Sequence, residues 1–287
     1  MDERLQQAEL DALWRYDDPI ASAERFAIAA AEPDRPEVVR AELETQRARA
    51  LGLQGRFDEA DGLLDSLGPA VDTLAVRILL ERGRLRNTEG RRSEAVPLFE
   101  SALLAARRDD DTFLAVDAAH MLAIADPSRS EQWTEEGLAE LANSTDPSTL
   151  RWGVALHNNR GWALFEAGRP REALGSFEAA LEAAEQYGTL DQQFAARWSL
   201  ARCLREVGRW QEAFDIQARL AAERPGESEV ADELAALADV EAHVRDAGDR
   251  DAPVRDAPVR DAPVRDAPVR DAPVRDAATE AAPTIEP

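Results

Sequence analysis

Only one cysteine, Cys203, occurs in 287 residues, so no disulfide can form within the chain. Lysine is absent, and all 34 basic residues are Arg. Aromatic residues make up 6%. Few stretches alternate β-branched and polar residues, so strands are not expected. No apolar run approaches the ~18 residues that a membrane span needs. The opening MDERLQQAELD is charged and has no apolar stretch of the kind that directs secretion. These absences predict a soluble helical protein of the cytoplasm.

Chemistry-bearing motifs are equally scarce. His120, His157 and His243 are the only histidines, and no HxxxH, HExxH or CxxC spacing occurs. No phosphate-binding loop or GxSxG is present. Cys203 lies beside the apolar positions Ala201 and Leu204, where a thiol is expected to be buried and inert. The many carboxylates fall at helical spacings typical of a solvated face. Catalytic residues, metals and cofactors are therefore not expected, and neither is an enzyme. The formal net charge is −23, carried almost wholly before Arg245. Such a body repels phosphate backbones and anionic lipid, which argues against nucleic acid and membrane surfaces as partners.

Ala, Leu, Glu and Arg dominate, and all are good helix formers. Between helical stretches the chain writes Gly-Arg-x-x-Glu-Ala four times: GRFDEA at 55–60, GRRSEA at 90–95, GRPREA at 168–173 and GRWQEA at 208–213. A glycine closing one helix and a small Ala admitting the next suit the corner of an antiparallel helix pair. The first and second copies are 35 residues apart and the third and fourth 40, whereas the second and third are 78 apart, which is two units. A corner without the signature is expected in ADPSRSEQW, residues 125–133, with a new helix from Ser130.

Apolar and small residues flank each corner in register. Around Gly168 they are Gly161 and Leu164, then Ala173, Phe177 and Ala180; around Gly90, Gly83, then Ala95, Phe99 and Ala102. This succession resembles the tetratricopeptide repeat, a helix–turn–helix unit of ~34 residues. The resemblance covers about residues 35–225. It departs from the family pattern in lacking most of the large first-helix aromatics and in having some longer units. It implies an all-α, right-handed superhelical solenoid of antiparallel helix pairs.

The expected organisation is an irregular N-terminal helix pair over 1–34, the repeat array over 35–226, a capping helix over 227–247 and a disordered tail over 248–287. Asp18-Pro19 and Asp146-Pro147 read as helix N-caps followed by Pro at the first helical position. Val230, Leu234, Leu237 and Val244 share one face of the capping helix, which suits the covering of a final pair. From Asp251 the tail reads DAPVR five times, and Pro at every fifth residue forbids continuous helix.

The resemblance also implies that the first helices line a concave groove holding a peptide or partner helix. Carried across by position, the residue after each small one points inward: Arg49, Arg84, His120, Trp162 and Arg202. One turn away lie Asn158 and Trp198, then Asn87 and Arg205. Guanidinium forks and indoles in an acidic body suit an acidic segment or a C-terminal carboxylate. Two alternatives stay open. Arg84 and Arg202 can pair internally with carboxylates such as Glu42 or Glu206, and the two Trp can belong to inter-repeat core. The expected function is a non-catalytic protein- or peptide-binding scaffold or adaptor. The other reading is a homo-oligomerising helical module with an empty groove.

Overall fold

The computed structural model describes residues 5–248, with side chains through residue 240. The DAPVR segment and the side chains of His243 and Val244 lie outside the described residues. Fourteen α-helices follow one another among these residues, with no strand. They are α1 (Gln7–Leu13), α2 (Pro19–Ala30), α3 (Glu37–Leu53), α4 (Phe57–Ser66), α5 (Asp72–Thr88), α6 (Arg92–Arg108), α7 (Thr112–Ala125), α8 (Ser130–Leu141), α9 (Pro147–Leu150), α10 (Trp152–Glu166), α11 (Pro170–Tyr187), α12 (Leu190–Glu206), α13 (Trp210–Glu223) and α14 (Ser228–Gly248).

Pairing is sequential: α3 packs on α4, α5 on α6, α7 on α8, α10 on α11 and α12 on α13. The first helices α3, α5, α7, α10, α12 and α14 also pack side by side, each on the next. That stacking makes the chain an all-α solenoid. Helix α2 packs against α3, and Asp18 caps it by accepting from the Ala21 amide at 2.9 Å.

The Gly-Arg-x-x-Glu-Ala corner has a specific geometry. Its glycine is left-handed, with φ from +72° at Gly168 to +86° at Gly208. The next amide reaches back five residues, as Arg91 N–H does to the Arg86 carbonyl at 2.8 Å, which closes the helix end. The Arg side chain then grips the Glu three residues on through both guanidinium nitrogens. At the first corner these bonds are Arg56 Nε–Glu59 Oε1, 2.9 Å, and Nη2–Oε2, 2.6 Å. The same fork joins Arg91 to Glu94, Arg169 to Glu172 and Arg209 to Glu212. The bonds from Arg hold all four carboxyls below the usual range. These forks stand in solvent, so they set the corner's geometry more than its stability. The four Ala residues are fully buried between the paired helices.

At the corner without the signature, Asp126 replaces the fork. A single 3₁₀ turn, Pro127–Arg129, links α7 to α8. The Asp126 carboxylate accepts from Ser128 Oγ at 2.5 Å, Arg129 Nε at 2.6 Å and Trp133 Nε1 at 3.3 Å. These bonds, the Ser128 hydroxyl first, lower its pKa from 3.8 to about 2.

Close approach inside a pair depends on missing side chains. The Phe99 ring fills the space a Cβ at Gly83 would need, and a Cβ at Gly161 would lie 2.6 Å from the Phe177 ring. Both rings are fully buried. Gly62 and Gly175 lie inside helices with open space around them.

Two predictions follow from these contacts. Gly83→Ala and Gly161→Ala should each destabilise by about 1–3 kcal/mol through overpacking. Gly62→Ala and Gly175→Ala should stabilise by about 0.5–1 kcal/mol through helix propensity. Thermal unfolding midpoints check the signs. Because the folded Asp126 pKa is depressed, its stabilising contribution is full above about pH 4 and fades as pH falls toward 2. Asp126→Asn should therefore flatten the acid side of the stability–pH profile, measured by circular dichroism melts between pH 2 and 6.

Candidate functional site

The side-by-side first helices form one face, and the chain's own N-terminal helix lies across it. Gln7, Leu10, Trp14 and Tyr16 share a narrow cleft with Gln46 and Arg49 of α3, Leu80 and Glu81 of α5, and Asp117 of α7. The same cleft reaches Trp152 of α10, and Asp11 pairs with Arg151 at 2.8 Å. Helix α1 is seven residues, or about 10 Å, long. On a flat face α3 and α10, three interaxial steps apart, would lie about 25–30 Å from each other. Residues 7–16 line one cleft with residues of all four, as a concave face allows: it is a trough.

Inside the trough, charge is paired between successive repeats. Two residues before each small residue stand Gln46, Glu81, Asp117, Asn159 and Ser199; one residue after it stand Arg49, Arg84, His120, Trp162 and Arg202. A residue of the second row reaches the first-row residue of the next unit. Arg84 bonds Asp117 as well as Glu81 of its own helix, the latter at 2.8 Å. His120 Nδ1 lies 3.5 Å from Asn159 Nδ2. Arg202 Nε reaches Glu233 of α14 at 3.0 Å and Glu206 at 3.4 Å. Arg205 grips the same Glu233 with bonds of 2.7 and 3.0 Å. Burial pushes the Glu81 carboxyl above its ordinary range, and Arg84 and Arg49 act against it. Glu42 takes Arg77, not Arg84, at 3.2 Å.

The other predicted residues fall into two groups. The Arg49 guanidinium stacks 5.3 Å from the Trp14 ring and 5.7 Å from the Tyr16 ring. Asn87 is buried on α5, and the His120 ring lies 5.2 Å from Trp152. In the C-terminal half, Trp162 and Trp198 sit 6.0 Å apart, with Phe165 5.4 Å and Phe177 5.2 Å from Trp162. The indole N–H groups of Trp152, Trp162 and Trp198 and the Asn158 Oδ1 are buried with no hydrogen-bond partner among the described residues. The structure thus separates the residues into an N-terminal half covered by α1 and a C-terminal half beside Arg202 and Arg205, where Trp198 is core between α12, α13 and α14 and Trp162 packs against it.

Several trough residues were missed from sequence. Gln46, Glu81 and Asp117 carry the same repeat spacing as the predicted row, two residues before the small position. Their acidic members pass for a solvated face when charge alone is considered. Leu10 and Trp14, one helical turn apart, gave the signal for α1. Arg151 gave none.

Elsewhere the side chains are chemically quiet. Burial raises the Cys203 thiol to about 11, and its Sγ donates to the Pro170 carbonyl at 3.2 Å. Burial lowers the His157 pKa. Among the described residues no three His, Cys, Asp or Glu converge as a metal site, and no helix is long and apolar enough to cross a membrane.

Arg84→Ala should cost about 3–5 kcal/mol, because it strands two buried carboxylates. Neutralising both in the same background, with Glu81→Gln and Asp117→Asn, should recover most of that loss in urea titrations.

The tetratricopeptide repeat family profile matches residues 154–187, which run from α10 through α11. No curated protein matches the chain. BtubC (BKLC) from P. vanneervenii has a similar solved structure, with TM-score 0.55 and 17% identity over 88% of this chain and 98% of that one. A Podosopora anserina protein described as a kinesin light chain with nearly identical TPR-like repeats aligns at TM-score 0.48 and 21% identity, over 66% of this chain and 96% of that one. Residues 154–187 thus match a tetratricopeptide repeat unit, and the repeated corners and stacked first helices carry the same helix-pair architecture along the described residues.

Proposed function

We propose that the chain is a non-catalytic scaffold or adaptor of the cytoplasm whose trough takes up a protein or peptide segment, acidic or ending in a carboxylate. One observation carries this reading. Four buried polar groups in or beside the inner row lack partners: the N–H groups of Trp152, Trp162 and Trp198 and the Asn158 carbonyl. Buried polar atoms in folded proteins are nearly always satisfied, and each one left unmade is costly. A peptide main chain supplies both the acceptors and the donor that these atoms need. The surrounding aromatic faces suit the anchor role that Trp plays at interfaces.

The acidic preference rests on a narrower base. Arg84 and Arg205 are engaged by carboxylates of this chain, so their charge is largely spent on the fold. Arg202 pairs with Glu233 and Glu206 and stacks over Phe165, but its side chain stays a quarter exposed. The titratable groups that converge in the C-terminal half, Arg202, Arg205, Glu206 and Glu233, pair with one another as fold contacts, which supports the non-catalytic part. Cys203, with its raised pKa, is a poor nucleophile.

An array of acidic and C-terminal-carboxylate peptides probed with the full chain tests this. Trp162→Phe/Trp198→Phe, which keeps a ring at each buried position and removes both indole N–H donors, should weaken capture by about tenfold, the order of two lost hydrogen bonds. Capture that persists in this variant rejects the assignment. No peptide captured, with a concentration-dependent dimer in light scattering, favours self-association.

A further inference from the structure

A second concavity lies outside the trough. His157, Arg160 and Leu164 fall on one face of α10, whereas Asn158, Trp162 and Phe165 fall on another. The first face floors a cavity of about 390 Å³ between α8 and α11. Its opening follows from the connection. Residues 142–151, with α9 among them, join α8 to α10, whereas 109–111 join α6 to α7 and 188–189 join α11 to α12. The longer connection leaves α8 packed lightly on α10, while α6 and α11 pack closely on the first helices that follow them. The volume falls in the range of small-molecule sites.

Two charge pairs line this cavity, and they differ. Arg169 and Glu172 are the corner fork, bonded to each other at 2.8 and 2.7 Å. Arg160 and Glu131 are not matched in that way. Arg160 Nη2 lies 3.8 Å from Glu131 Oε1, too far for a hydrogen bond, and Arg160 Nε is buried with no partner among the described residues. Arg82, in the same place one residue before its small position, bonds Asp65 at 2.5 Å. A cation and an anion thus stand side by side in the cavity without bonding each other. Ser176 adds a hydroxyl, and Leu164 and Ala179 add an apolar wall. Burial, then the neighbouring Arg160 charge, lowers the His157 pKa, so its ring is neutral at pH 7. The two guanidiniums and two carboxylates therefore cancel, inside a body of net charge −23. A bare anion gains nothing from that field, and a bare cation meets Arg160. A ligand carrying both signs meets both halves of the open pair.

We propose that this cavity binds a free α-amino acid with an apolar side chain. Such a ligand carries its carboxylate and ammonium on one carbon, a spacing that suits the adjacent Arg160 and Glu131. Its carboxylate accepts from the Arg160 guanidinium and the Ser176 hydroxyl, and its ammonium donates to Glu131. Its side chain lies along Leu164 and Ala179. Gly175 keeps the wall open, since a Cβ there meets nothing within 4 Å. The site is independent of the trough reading, because none of these residues lines the trough cleft.

Isothermal titration of the full chain with leucine, methionine and phenylalanine in turn tests this. At least one should bind with saturable heat. For that amino acid, Arg160→Gln should weaken binding by about tenfold, the loss of a charge-assisted bond. Glu131→Gln, at a more exposed side chain, should weaken it by about threefold. Gly175→Leu, which fills the cavity from a helix position with open space, should abolish it. Masking one charge of the ligand, as its N-acetyl derivative or its amide, should cost about tenfold. The proposal fails if none of the three binds at millimolar concentration. It also fails if the N-acetyl form binds as tightly as the free amino acid, which makes the site a carboxylate site only, or if Gly175→Leu stays helical and binds unchanged. Should Gly175→Leu unfold, Arg160→Gln decides the matter, since its partly exposed side chain can change without loss of the fold; unaltered affinity in that variant overturns the assignment.

Discussion

A guanidinium taken out of water must be met by a carboxylate, and the first helices bury Arg77 and largely bury Arg84. The body is strongly acidic, so acceptors are plentiful. What matters is where they stand. Arg84 to Asp117 and Arg202 to Glu233 each join one repeat to the next. Each pair links two first helices in fixed register; breaking Arg84–Asp117 strands a buried carboxylate at a cost far above that of a surface pair, whereas Glu233 keeps Arg205 when Arg202 is lost. Stacking and charge pairing are thus one constraint, and they decide which face can be a trough and which of its groups are already spent.

Charge serves a different purpose at the corners. The Arg–Glu forks of the Gly-Arg-x-x-Glu-Ala turns are solvent-exposed and identical in geometry. Their value lies in orienting the start of each second helix, with the glutamate in a first turn where the helix dipole favours it. The same two residue types therefore build the turns on the outside and the inter-repeat ladder on the inside. Buried donors without a partner among the described residues include those of Arg151, Trp152, Trp162 and Trp198, from the start of α10 to α12. Helix α1 shares a cleft with the second of these, and Trp198 packs among Phe194, Leu220 and Val230.

Much of the fold was legible because the repeat writes its own geometry. A positive-φ glycine, a small residue facing a ring and an Asp-Pro cap are local features, and Gly90, Gly161 facing Phe177, and Asp18-Pro19 carry them in plain view. The doubled gap pointed to a hidden corner, and helix α8 starts at Ser130. The chemistry of that corner, with Asp126 replacing an Arg–Glu fork, has no repeated pattern to betray it. In the trough the predicted row was found by register, but its partners were not. Whether Arg84 faces a ligand or Asp117 depends on how closely two first helices approach, which spacing within one chain does not encode. The placement of α1 was illegible for the same reason. Leu10 and Trp14 mark an apolar face, yet nothing near them in sequence says that it lies against residues beyond position 110.

Amide hydrogen exchange along the full chain, followed by mass spectrometry, tests the coupling of stacking and charge pairing most directly. If the Arg84 pairs hold one repeat on the next, Arg84→Ala should speed exchange in α5 and α7 well beyond any change in α12 and α13. Exchange in α5 and α7 that stays as slow as in the unaltered chain would contradict the account.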